Sequence, residues 1–121
     1  MRYLCIVHID PALMAALSET EDRELARDCV AYDQELLSQG KLIVAQALAA
    51  PAAAKIVRVR DRKAAITDGP FMETKEHLGG FLYVEARDLD EAVEIAAGCP
   101  MARMGSIEVR PQLDLSPKTS G

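Results

Sequence analysis

The sequence predicts an α+β fold in which two helices lie on one face of an antiparallel sheet. Three observations carry that expectation. Two segments repeat apolar residues at helical spacing, each behind a capping signal and ahead of a glycine. Short runs rich in β-branched residues flank both. Their order is strand, helix, strand, strand, a minor hairpin strand and a long loop, then strand, helix, strand. Two helices against one antiparallel sheet in this order form the ferredoxin-like βαββαβ arrangement.

Residues 3–9 are a near-continuous apolar run, as a strand buried on both faces requires, and Asp10-Pro11 ends it. Residues 12–17 suit a short helical turn. Ser18 with Glu21 three residues on is a capping box. Beyond it Leu25, Cys29, Tyr32 and Leu36 recur at helical spacing, which predicts a helix from about 19 to 39, with Gly40 as its stop. Residues 41–48 read as the second strand, and 49–54, broken by Pro51, as its connection. Residues 53–60 and 64–67 predict a strand and a short hairpin partner turning at Asp61-Arg62. Asp68-Gly69-Pro70 is a turn, Phe71 offers the following loop an apolar anchor, and Gly79-Gly80 release the chain into a strand over 81–86. Asp88 and Glu91 open the second helix, whose inner face is expected to hold Leu89, Ala92, Val93 and Ala96, with Gly98 and Pro100 at its end. A last strand covers 106–110. Residues 1–111 thus make one domain and 112–121 a flexible tail.

A chain of 121 residues, half of them apolar, is large enough for a core without disulfides or metal. With no Trp, that core must come from Ala, Val, Ile and Leu. The net charge of −5 argues against direct nucleic-acid binding, although Arg58, Arg60, Arg62 and Lys63 make a local basic patch at the hairpin end. Cys5, Cys29 and Cys99 lack metal-ligand spacing, so reduced thiols in a cytoplasmic protein are expected, with no metal and no cofactor. There is no signal-peptide pattern, and no segment approaches the roughly 20 apolar residues of a membrane span.

Alternation within the strands divides the sheet into a cleanly apolar face for the helices and a mixed one. Two helices cover one face only, so a second copy of the chain is the simplest cover for the other. This predicts a homodimer with facing sheets and a cavity between them bearing some of His8, Arg58, Tyr83, Glu108 and Arg110. Asp68, in a turn at the cavity mouth, and His8 are the candidate proton-transfer residues. Arg58, Phe71, Tyr83, Glu108 and Arg110 are the candidate substrate-binding set. The plain structural roles compete with each: Asp68 as a turn cap, His8 as a hydrogen-bonded core histidine, and Glu108 and Arg110 in a structural ion pair for which Arg58 is the candidate partner.

The string Asp68-Gly69-Pro70-Phe71-x-Glu73-Thr74-Lys75-Glu76-x-x-Gly79-Gly80-Phe81 resembles the signature of the YCII-related family, DGPF subgroup. The likeness continues through Asp88-Leu89-Asp90-Glu91-Ala92, Cys99-Pro100 and residues 105–111. The resemblance implies a ferredoxin-like fold that pairs into a dimeric α+β barrel. A related branch includes a chlorinated-muconolactone dehalogenase, and some members are associated with extracytoplasmic-function sigma factors. Other YCII-related proteins are proposed to use a His-Asp pair on or near the first helix. The helix here offers Asp28, Cys29, Tyr32 and Asp33 and no histidine, so that pair is not matched. The expected function is a small acid-base enzyme or binder for a small polar or anionic molecule. The alternative is a non-catalytic accessory of sigma-factor-dependent transcription.

Overall fold

The computed structural model describes residues 1–69 and 75–115. Six strands and three helices follow in chain order: β1 (Arg2–Ile9), α1 (Pro11–Ala15), α2 (Glu19–Ser38), β2 (Leu42–Ala47), β3 (Lys55–Arg60), β4 (Lys63–Asp68), β5 (His77–Glu85), α3 (Leu89–Gly98) and β6 (Gly105–Pro111). Short 3-10 turns occupy Pro51–Ala53 and Pro100–Met104. No helix among the described residues is long and apolar enough to cross a membrane.

The main sheet is antiparallel throughout, in the order β2-β5-β1-β6. This is the ferredoxin-like order, and it confirms the predicted α+β class. β1 supplies its centre. Tyr3, Cys5 and Val7 alternate inward and are nearly inaccessible, beside Leu82 and Val84 of β5. Leu36 of α2 and Ala92, Ile95 and Ala96 of α3 close over them. Burying each of the larger aliphatic side chains contributes about 1.5–3 kcal/mol.

The ends of α2 form as expected. The Ser18 hydroxyl accepts from the Glu21 amide at 3.1 Å, and the Glu21 carboxylate accepts from the Ser18 amide at 3.0 Å. At the other end Gly40 takes φ +70°, a left-handed angle that favours glycine. The Gly40 and Lys41 amides then donate back to Leu37 and Leu36, a Schellman closure.

Three expectations are corrected. Residues 55–68 do not extend the main sheet: β3 and β4 pair with each other as a separate ribbon, and Val57 and Val59 face solvent instead of helices. In the main sheet β5, and not the ribbon, takes the place beside β2. Gly79 and Gly80 do not precede β5 but lie within it. Gly79 is the residue skipped where the β1–β5 register shifts, and a side chain there would run into Ile9. A Cβ on Gly80 would stand 2.6 Å from the Gln46 carbonyl oxygen of β2. Finally, Leu89 and Val93 are half exposed, because the inner face of α3 turns on Ala92, Ile95 and Ala96.

Candidate functional site

The face of the main sheet away from the helices carries the outward residues of three strands. Leu4 lies opposite Tyr83 and Arg110, and Ile6 opposite Phe81 and Glu108. Leu4, Ile6, Phe81 and Tyr83 are all half-buried. Polar groups surround this apolar strip. His8 Nε2 lies 3.2 Å from Glu108 Oε1, and Arg110 Nε lies 3.8 Å from Glu108 Oε2. The Tyr83 hydroxyl donates to Gln112, while the Arg2 guanidinium sits 5.8 Å from the centre of the Tyr83 ring. The structure therefore brings His8, Glu108 and Arg110 into one cluster and places Tyr83 on the same face, as the strand alternation requires.

The other sequence-derived candidates go elsewhere. Asp68 ends β4, where it pairs with Lys55 across the ribbon and its side chain is 83% exposed. It does not stand in a semi-buried turn, because β4 runs one residue past the expected end before the chain turns. Arg58 stands opposite Ala65 on the ribbon and is not on the main sheet. The two expected proton-transfer residues, His8 and Asp68, consequently lie in different sheets, each with its own partner. Phe71 lies outside the described residues.

A cavity of about 440 Å³ opens on the opposite side of the sheet, between α2 and the strands β1, β5 and β2. Its walls are chiefly aliphatic and backbone, from Val7, Ile9, Val30, Ala45–Leu48 and Gly79–Leu82. The two glycines leave the floor without side chains where β5 meets β2. Two polar positions of α2, one turn apart, face it: Cys29 and Asp33.

Partial burial raises the Asp33 carboxyl above its ordinary value. No cation among the described residues forms an ion pair with it. Burial also pushes the Cys29 thiol up to about 11, with Cys99 and Asp33 adding to the effect. A thiol held there is protonated at neutral pH and is a poor nucleophile. Asp33 is thus the carboxyl on the cavity wall whose proton is held more tightly than in water.

Sequence reasoning did not select Asp33 for this role. The signal was present: Asp33 is four residues after Cys29 and three before Leu36, a carboxylate on the helix's apolar stripe. Only the wall opposite distinguishes such a residue from an ordinary surface acid.

A family model for the YCII-related domain matches residues 1–116. An uncharacterized protein of Rhizobium meliloti (strain 1021) is 35% identical over 113 residues, spanning 92% of this chain and 91% of its own. Among solved structures, 5-chloro-2-hydroxyhydroquinone dehydrochlorinase (TftG) from Burkholderia phenoliruptrix AC1100, in complex with 2,5-dihydroxybenzoquinone, superposes with a TM-score of 0.55. That likeness covers 93% of this chain and 94% of the other at 18% identity, a similarity of fold.

Proposed function

The chain belongs to the YCII-related family, and from that premise we propose that it binds and transforms a small organic molecule in the helix-side cavity, with Asp33 moving the proton. The observation that carries this reading is the single raised carboxyl on the wall of an otherwise apolar pocket. A volume of about 440 Å³ lies within the roughly 300–1,000 Å³ range of small-molecule sites. A carboxyl whose proton is held more tightly than usual serves as general acid when protonated and as general base once it has lost the proton. Aliphatic walls suit a compact ring, and Asp33 would meet a hydroxyl or an acidic C–H on it. The dehydrochlorinase with its bound dihydroxybenzoquinone supports a small oxygenated ring as the first class to try.

Thermal shift against hydroxylated quinones, phenols and small cyclic acids tests the binding step. At least one class is expected to raise the Tm. Turnover of that compound is expected to fall by about 10²–10⁴ in Asp33→Asn. Retained turnover in that variant, or no shift with any compound, removes the reading.

A second reading concerns the open sheet face. We propose that a second protomer covers the strip of Leu4, Ile6, Phe81 and Tyr83, so that His8, Glu108 and Arg110 line the seam. Unpaired charges would be costly there, and the His8–Glu108–Arg110 contacts offset that cost. Such a seam would admit a small anion beside Arg110 and His8. Loss of anion binding in Arg110→Ala, with the helix-side pocket still occupied, would separate this site from the first.

A further inference from the structure

The β3–β4 ribbon is built as though something lies against it. Cross-strand register sets Val57 opposite Ile66 and Val59 opposite Ala64 on one face. Val57 is 61% exposed and Ile66 67%, and every residue of β4 is exposed. An isolated two-stranded ribbon is marginal in water, and one showing an apolar face to solvent is poorer still. The ribbon is also the basic part of an acidic chain. It holds Lys55, Arg58, Arg60, Arg62 and Lys63 against Asp61 and Asp68, whereas the rest of the sequence sums to −8.

The complementary surface lies on α2. Ala26, Val30 and Leu37 share one outer strip of that helix, with Val30 57% and Leu37 56% exposed. Besides Asp33, which faces the cavity, α2 carries six acidic residues, among them Glu24, Asp28 and Glu35, against two basic ones, Arg23 and Arg27. An apolar strip in an acidic field matches an apolar face edged by long basic side chains, which can lie flat and carry their charges outward.

We propose that the β3–β4 ribbon is an arm that docks on the outer face of α2 in a second copy of this chain. Val57, Val59 and Ile66 meet the strip of Val30 and Leu37, and the arginines and lysines at the ribbon's edges and tip reach the surrounding carboxylates. The apolar face selects a protein over a polyanion such as nucleic acid, since phosphates give it nothing to bury. Val30 also lines the helix-side cavity, so a seated arm borders its mouth. The contact is independent of which molecule the cavity holds and of the seam proposed for the open sheet face.

A photo-crosslinking residue in place of Ile66, in a mixture of isotopically light and heavy full-length chains, reads the contact directly. Mixed light–heavy crosslinks mapping to residues 19–38 are expected, with a yield that falls as salt rises. Crosslinks confined to one chain, to the open sheet face, or to copurifying nucleic acid overturn the proposal. In parallel, the double substitution Val57→Asp with Ile66→Asp is expected to weaken self-association about tenfold or more by sedimentation, equivalent to about 1.4 kcal/mol. Both positions are exposed, so circular dichroism should show an unchanged fold. An unchanged association constant in this variant also overturns the arm.

Discussion

Asp33, the proton carrier of the proposed function, sits at a cost to stability. Because burial raises its carboxyl above the unfolded value, the folded chain holds that proton more tightly than the unfolded chain does. The favourable contribution is complete below the unfolded carboxylate pKa of about 3.9 and is lost as pH rises through the folded value. At neutral pH the charged group is therefore a burden. Asp33→Asn is expected to raise the Tm at pH 7 and to change it little near pH 3, while activity is lost. A lower Tm at pH 7 in this variant would mean that the carboxylate is held by a favourable partner. Next to it, Tyr32 does purely structural work: its hydroxyl donates to the Ile95 carbonyl at 2.7 Å, tying α2 to α3. A methyl on Gly98 would strike that hydroxyl. Tyr32→Phe is expected to cost about 1 kcal/mol, and Gly98→Ala about 1–3 kcal/mol. The glycine substitution should cost less in the Tyr32→Phe background, because the nearest of the atoms it would meet is gone and only the ring edge remains. Strictly additive losses in denaturant titration would disprove the contact.

At the scale of elements, α2 owes its boundaries to local chemistry and its position to packing. Loss of the cap in Ser18→Ala is expected to cost about 0.5–2 kcal/mol in chemical denaturation; no loss would show that water replaces the hydroxyl without penalty. Burial along α2 follows the apolar stripe, on which Asp33 sets a carboxylate at the wall of the helix-side cavity. The ribbon shows the opposite balance. Its turn residues Asp61 and Arg62 both adopt positive φ, 52° and 64°, the angles of a two-residue I′ connection that Asn-Gly adopts with less strain. Asp61→Asn with Arg62→Gly is expected to tighten the ribbon, read as slower amide exchange over 55–68. Faster exchange would mean that the arginine's contacts outweigh the strain.

For the whole molecule, the test is whether the proposed second copy covers the open sheet face. Ile6→Asp places a charge in the middle of that face and is expected to weaken self-association in sedimentation at micromolar concentration, leaving only what the ribbon arm holds. An unchanged sedimentation profile would mean that the face is ordinary surface. Much of the architecture was readable beforehand, because alternation in β1, the capping box at Ser18, the glycine stop at residue 40 and the caps around α3 are local patterns set by neighbouring residues. The grouping of His8, Glu108 and Arg110 was readable too, since each occupies an outward position on a strand whose faces the sequence declares.

What the amino-acid order determined, then, was the kind and sequence of elements and the two-faced character of their strands, all short-range properties of spacing and backbone preference. Strand adjacency was decided only in three dimensions. There β5 pairs with β2, residues 55–68 form a separate ribbon that holds Asp68 and Arg58 away from His8, and a cavity opens under α2. That cavity left Asp33 half-buried, because desolvation depends on what the fold sets across from a side chain and not on its neighbours in sequence.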